Sequence, residues 1–193
     1  MSFVNSVLLT GVGGQGILLA SNILARAALL AGYDVKTNEV HGMAQRGGSG
    51  VAEIRYGPKV YSPLIAPMSA IAIASLEQME ALRYAHFLSP NGTAVVSKLR
   101  LVPTTVSSGQ GKYPDDMGER LRKAFKNLKY IDAPAAAEKA GNPRTNNLVV
   151  LGSLSTCLDF TQELWEKAIA QCVKPKLVDI NLTAFSLGRE LVA

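Results

Sequence analysis

Thr10-Gly11-Val12-Gly13-Gly14-Gln15-Gly16 joins a short apolar run to a long helical one through four glycines, and the rest of the chain can be placed relative to that turn. Ser6 to Thr10 (SVLLT) is brief and rich in Val and Leu, as expected of a strand buried on both faces. Ile17 to Ala31 is rich in Ala and Leu and stops at Gly32, which reads as a helix with a glycine end signal. Gly11, Gly13 and Gly16 fit G-x-G-x-x-G, whose glycines permit a tight turn, close approach of a phosphate to backbone N–H groups, and close helix–strand packing. The helix N-terminus adds about half a positive charge at the same place. Taken alone, the hexapeptide fits a phosphate site and a merely tight strand-to-helix turn equally well.

The 193 residues suffice for one domain with a full core, and no linker divides them, so residues 1–193 are read as a single domain. A hydrophobic fraction of 48% with 18% charged residues is slightly apolar for a globular chain, which fits either a sheet buried on both sides or a partner interface. The net charge of +5 favours acidic or phosphorylated partners. Its Lys and Arg residues are scattered without interleaved aromatics, which argues against nucleic acid, and Arg120 to Lys126 reads as a solvated helix face. Cys157 and Cys172 have neither a C-x-x-C partner nor nearby histidines at ligand spacing, so no metal centre is expected, only free thiols in a reducing compartment. The N-terminus lacks the charged start of a signal peptide, and the longest apolar stretch carries Asn22 and Arg26. A cytoplasmic protein with no membrane span is expected.

After the first helix, Asp34 to Val40 alternates and predicts a second strand, parallel to the first and completing a Rossmann-like βαβ unit. Glu39, near its end, is the position from which an acidic side chain would hold ribose hydroxyls. Then comes His41-Gly42-Met43-Ala44-Gln45-Arg46-Gly47-Gly48-Ser49-Gly50, a loop with four glycines, a potential acid–base group and an arginine. Such glycine density lets amides approach a ligand or another chain, Arg46 offers a planar fork for phosphate or carboxylate, and His41 exchanges protons near neutral pH. Val51 to Tyr56, the turn Gly57-Pro58 and Lys59 to Ile65 predict a hairpin. Ser69 to Leu76 predicts a central strand, Glu77 to Leu88 a helix carrying His86, Ser89-Pro90-Asn91-Gly92 a turn, and Thr93 to Lys98 a strand. Asp115 and Asp116 could cap a helix running to Phe125, and Tyr130 to Ala133 is a last short strand. Beyond Pro134 the chain reads as helical: Ala135–Ala140, Asn146–Leu158, Thr161–Cys172 and Asn181–Leu191, punctuated by Pro143 and Pro175. The predicted fold is α/β: a single-domain open sheet, parallel in its core with an attached hairpin, helices on both faces and a helical C-terminal region. Gly11–Gly16 and His41–Gly50 are then both expected at the carboxyl edge of the strands, where such sheets bind ligands.

A self-contained enzyme is hard to assemble from these residues. There are two histidines, and no nucleophile elbow, P-loop lysine, paired metal carboxylates or C-x-x-C cluster is visible. The residues do resemble a family. Gly11-Val-Gly-Gly-Gln-Gly16 followed by Glu39-Val-His-Gly-Met-Ala-Gln-Arg-Gly-Gly-Ser49 is similar to the gamma-type domain of 2-oxoacid:ferredoxin oxidoreductases, and within it to beta subunits of the indolepyruvate-oxidising branch. Tyr61–Ile65, Glu80–Arg83, Asn147–Gly152 and Asn181–Arg189 extend the similarity over almost the whole chain. One departure is Gly50, where Val or Ile would open the next strand and where glycine is expected to shorten it.

The resemblance implies a subunit, inactive alone, of an enzyme that converts arylpyruvates such as indolepyruvate to aryl-acetyl-CoA and passes electrons to ferredoxin. It implies no cofactor firmly bound by this chain. Thiamine diphosphate, Mg2+ and [4Fe-4S] clusters would lie mainly on a large partner subunit, coenzyme A would pass nearby, and an isolated chain would be open to self-association. The residues expected to face coenzyme A or the partner are Gly11, Gly13, Gly14, Gln15, Gly16, His41, Gly42, Met43, Gln45, Arg46, Gly47, Gly48 and Ser49, without a catalytic residue among them being assignable. The competing reading of the same turn is a small NAD- or flavin-binding protein using Gly11–Gly16 and Glu39.

Overall fold

The computed structural model describes residues 4–42, 48–102 and 112–192. In chain order its elements are β1 (Asn5–Val12), α1 (Ile17–Leu30), β2 (Asp34–His41), β3 (Ser49–Gly57), β4 (Ala70–Ser75) and α2 (Gln78–Arg83). A 3-10 turn (Ala85–Phe87), β5 (Leu88–Ser97), α3 (Met117–Ala124), β6 (Asn127–Ile131) and α4 (Ala133–Lys139) follow. The chain ends in a 3-10 turn (Pro143–Thr145), α5 (Asn146–Ser155), α6 (Gln162–Cys172), a second 3-10 turn (Pro175–Leu177) and α7 (Val178–Glu190).

The six strands form one mixed sheet in the order β2-β3-β1-β4-β5-β6. β1, β4, β5 and β6 pair in parallel, as a βα alternation demands. β2 also runs parallel to β1, but it does not pair with it. β3 lies between them, antiparallel to both, with Gly50 opposite Gly11 on one side and opposite His41 on the other. The hairpin is therefore β2–β3, closed by the loop at 42–48, and not the expected pair around Gly57-Pro58. Residues 59–65 are not a strand: side chains hold them instead of a ladder. Asp34 Oδ2 accepts from Val60 N at 2.9 Å, Glu53 Oε2 from Ile65 N at 2.5 Å, and Arg55 Nη1 donates to Ser62 O at 2.9 Å. Pro58 and Pro63 supply no N–H to a ladder, which favours this arrangement.

Several boundaries also differ, among them the last strand, which runs Asn127–Ile131 and not Tyr130–Ala133. The helix expected to Leu88 ends at Arg83, with Glu77 capping it by accepting from Met79 N and Glu80 N. His86 then sits in the 3-10 turn against Phe87, ring centroids 4.3 Å apart. The expected turn Ser89–Gly92 is instead the start of β5, where Gly92 is required because a Cβ there would meet Ala70 O at 2.9 Å. Gly50 does not shorten β3, which begins at Ser49. Asp116 stands at the N-cap of α3 but bonds Arg120 at 2.7 Å and not the helix backbone.

The apolar excess is spent on both faces of the sheet. Val7 and Leu9 of β1 and Ala72 and Ala74 of β4 point to a core shared with α1, α4, α5, α6 and α7, around Trp165, Leu148, Leu151, Leu154 and Phe185. Leu8 and Ile73 point to the other face, under Val51, Ile65 and Ala70, beside a second layer of Ala81, Ala94, Val96, Leu121 and Phe125 that includes α2 and α3. That period-2 division over continuous apolar strands is what a sheet covered on both sides requires. Across one end, Tyr56, Phe160, Trp165 and Phe185 form a chain of ring contacts at 5.1–5.6 Å. No helix in the described residues is long and apolar enough to cross a membrane.

Candidate functional site

The glycine turn and the β2–β3 loop meet at the carboxyl edge of the sheet, as their positions predict. Gly13 N donates to Gly48 O at 2.8 Å, and Gly42 N to Ser49 O at 2.8 Å, so the two loops form one rim. Ser49 is anchored from behind: its Oγ donates to Glu80 Oε2 at 2.5 Å and lies 3.2 Å from the Tyr84 hydroxyl, while Arg83 Nε donates to Glu80 Oε1 at 3.1 Å. Thr10 Oγ1 donates to Gly50 O at 3.2 Å, tying β1 to the opening of β3. Met43, Gln45, Arg46 and Gly47, expected at the same rim, lie outside the described residues; for His41 the backbone alone is described, pairing in register with Gly50.

Gln15 has an unexpected place. Its Oε1 accepts from Val12 N at 2.6 Å and its Nε2 donates to Leu76 O at 3.1 Å, so the carboxamide spans from β1 to the end of β4. Those two strands flank the point where the chain switches from one side of the sheet to the other, the usual ligand crevice of such folds. The side chain fills it: a Cβ on Gly11 would lie 2.7 Å from Gln15 Oε1 and 3.0 Å from Leu76 Cβ. Gln15 N is also used within the turn, donating to Val12 O at 3.1 Å. The N–H groups of Val12, Gly13 and Gln15 are thus satisfied by the protein itself, and a pyrophosphate cannot take them in the manner of a dinucleotide fold.

Glu39 is equally removed from a ribose-binding role. β3 intervenes, putting β2 two strand spacings, about 10 Å, from β1, and Glu39 Oε1 accepts from Ser21 Oγ of α1 at 2.8 Å.

The outer side of the turn remains open. Gly14 (φ 95°) and Gly16 (φ 80°) hold left-handed conformations that place the start of α1 against α5. Asn147 Nδ2 donates to Gly16 O at 3.1 Å, and a Cβ on Gly16 would meet that nitrogen at 2.6 Å. Between the turn and the C-terminal helices lies an open cavity of about 680 Å3, bounded by Gly14–Gly16, the 3-10 turn with Arg144, the start of α5, and the segment Cys172–Leu177 with Lys174 and Lys176. Burial pushes the Cys172 thiol up in pKa, opposed by the Arg26 guanidinium. Arg144, Lys174, Lys176 and Asn146 were not singled out in the sequence; the signal was two proline-started turns, Pro143-Arg144 and Lys174-Pro175-Lys176, each carrying cations. Among the described residues no group of three or more His, Cys, Asp or Glu is placed to hold a metal ion.

The open α/β sheet thus carries a two-loop glycine rim at its carboxyl edge, a crevice filled by Gln15 and a separate cationic cavity. Residues 6–191 match the family model described as pyruvate ferredoxin/flavodoxin oxidoreductase, and the chain belongs to that family. It is 42% identical over 187 residues to the indolepyruvate oxidoreductase subunit IorB of Archaeoglobus fulgidus, covering 95% of this chain and 92% of that one. It is 41% identical over 188 residues to the subunit of the same name from Thermococcus kodakarensis, covering 95% and 93%. The fold matches the gamma subunit of a keto/oxoacid ferredoxin oxidoreductase from Geobacter sulfurreducens with a TM-score of 0.72, at 23% identity over 97% of this chain and 98% of that one. The six-stranded mixed sheet is thus the fold seen in a gamma subunit of these enzymes.

Proposed function

We propose that this chain is the small subunit of an indolepyruvate ferredoxin oxidoreductase acting in the cytoplasm. The assembled enzyme oxidatively decarboxylates an aryl 2-oxoacid, joins the acyl carbon to coenzyme A, releases carbon dioxide and passes the electrons to ferredoxin. Thiamine diphosphate, Mg2+ and the iron–sulfur clusters reside on a larger partner, and this chain contributes the rim of Gly11–Gly16 and His41–Ser49 to the partner interface and the coenzyme A path. The observation that carries the proposal is 41–42% identity to indolepyruvate oxidoreductase subunits over 95% of this chain.

Co-expression with a thiamine-binding, cluster-bearing large subunit tests this directly. The pair is expected to copurify and to reduce ferredoxin with indolepyruvate only when coenzyme A is present, while the isolated chain stays inactive. Absence of both association and activity would refute the proposal, as would tight NAD or flavin binding by the isolated chain in a calorimetric titration. Arg46→Ala and His41→Ala are expected to lower turnover or assembly of the complex while leaving the melting temperature of the isolated chain unchanged. If neither substitution moves either quantity, the rim takes no part.

A further inference from the structure

The cavity outside the glycine turn has a sign. Arg144, Lys174 and Lys176 line it, no Asp or Glu does, and among the described residues none of the three cations is in an ion pair. Two helices also begin in its wall. α1, of 14 residues, starts behind Gly16, and α5, of 10 residues, starts at Asn146; neither N-cap residue makes a side-chain cap bond and neither first turn holds an acidic residue, although Leu148 N of α5 is taken by Asn147 Oδ1 at 3.0 Å. The bond from Asn147 Nδ2 to Gly16 O fastens the two starts together, so both positive helix ends are held at one opening. Asn146 lies in the wall at 9% exposure with its Oδ1 unpartnered, an acceptor open to a donor on the body of a ligand and not to a phosphate. Leu19, Leu99 and Leu177 supply an apolar side, and 680 Å3 is the size of a nucleotide-scale site.

We infer that this cavity is an anion site for a ligand carrying two or more phosphates on an apolar or aromatic body, with Arg144, Lys174 and Lys176 meeting the phosphates. Three flexible cations and two helix ends, with no carboxylate to offset them, attract multiple negative charge and would be left mutually repelling without it. Since Gln15 fills the inner crevice, the phosphates sit on the outer face of the turn. The inference deepens the coenzyme A reading made above by assigning residues to the phosphate end.

The test is calorimetric titration of the full chain with coenzyme A, adenosine 3′,5′-bisphosphate and phosphate-free pantetheine, each at low and high salt. Coenzyme A and the bisphosphate are expected to bind, with affinity falling as salt rises, and pantetheine is not. Lys174→Ala with Lys176→Ala should weaken both phosphate ligands at least tenfold and flatten their salt dependence, and Arg144→Ala should weaken them severalfold, all without lowering the melting temperature. Unchanged affinity in these variants, or equal binding of pantetheine and the bisphosphate, overturns the assignment. If coenzyme A still binds the variants normally, the coenzyme reading stands and the three cations are not its phosphate site. If the reconstituted complex requires coenzyme A for turnover but neither it nor the isolated chain binds the bisphosphate, the assignment likewise fails while the function stands.

Discussion

Replacing Gly152 with alanine probes the contact that holds the C-terminal helices in place. α5 and α7 cross with their backbones touching: a Cβ on Gly152 would lie 2.0 Å from Phe185 O, and one on Gly188 would lie 2.0 Å from Val149 O. Real Cβ contacts essentially never fall under 3.0 Å, so either alanine forces the helices at least about 1 Å apart. The obstacle is backbone against backbone, with no flexible side chain to yield. Ser153 Oγ donates to Gly188 O at 2.6 Å and Arg189 Nη1 to Ser155 Oγ at 2.7 Å across the same crossing, and both bonds lengthen with it. Overpacking of this kind costs about 3 kcal/mol at the upper end of its usual range, and alanine returns about 1 kcal/mol of helix propensity over glycine. The net loss is about 2 kcal/mol, a fall in melting temperature of roughly 4–8 °C for a chain of this size. Urea denaturation followed by far-UV circular dichroism measures it. Gly188→Ala should cost a similar amount, and the double variant less than the sum, because one displacement relieves both clashes. A Gly152→Ala chain within about 0.5 kcal/mol of the parent, the scatter of neutral surface changes, would refute the close crossing.

Three further outcomes follow from side-chain bonding. Gln15→Ala removes the partners of Val12 N and Leu76 O and is expected to cost about 1–3 kcal/mol in urea unfolding; a neutral effect would mean that the carboxamide does not bridge the strands. Tyr113→Phe deprives the buried Glu77 carboxylate of a donor at 2.6 Å, with an expected loss of about 1.5–3 kcal/mol near neutral pH. Burial, reinforced by the bond to Glu77, holds the Tyr113 hydroxyl above its ordinary pKa of 10.0. The folded state therefore favours the neutral phenol, and that part of the stability is lost as pH rises above 10. The phenylalanine variant should lack it, which a melting series from pH 9 to 11 would reveal. Asp34 shifts the opposite way: the Val60 N–H and then Lys36 hold its carboxyl below 3.8, so its contribution is present above that pH and fades as pH falls below it. Asp34→Asn should flatten the acid limb of the stability profile; an unaltered limb would show that the tether to Val60 does not form.

Local signals made much of the architecture legible. The SVLLT run, the glycine turn and the helix behind it stand where composition and turn chemistry put them, and the small-apolar run at Ala70–Ser75 is a central strand. What local reasoning missed was pairing. Alternation in Val51–Tyr56 marks a strand but says nothing of its neighbours, and β3 pairs with β1 and β2 together instead of folding back on residues 59–65. Glu53 and Arg55 show why: they read as the polar face of a strand, yet they hold residues 62–65 through hydrogen bonds of their own. Gly13, Gly48 and Ser49 do lie together at one edge of the sheet. Gln15 also bridges two strands, a contact the hexapeptide does not reveal because Leu76 lies across the sheet. The cavity cations carried a local signal in two proline-started turns, but their meeting did not: Arg144 and Lys174 are thirty positions apart and share a cavity only in the fold.

These misses share one cause with consequences for function. A dinucleotide fold needs the strand after the first helix to pair directly with the first strand, so that an acid at its end reaches a ribose held over the glycine turn. Here β3 occupies that place, Glu39 is turned to Ser21, and Gln15 takes the backbone groups a pyrophosphate would use. The same insertion produces the loop that the turn grips through Gly13 and Gly48, so losing the inner crevice and gaining a two-loop rim are one structural event. On the outer face of the turn the start of α1 is joined by the start of α5 and by cations from two proline-started turns. The C-terminal helices therefore complete the core and also fix the charge at the carboxyl edge, which makes the glycines at the α5–α7 crossing as important to that edge as the glycines of the turn itself.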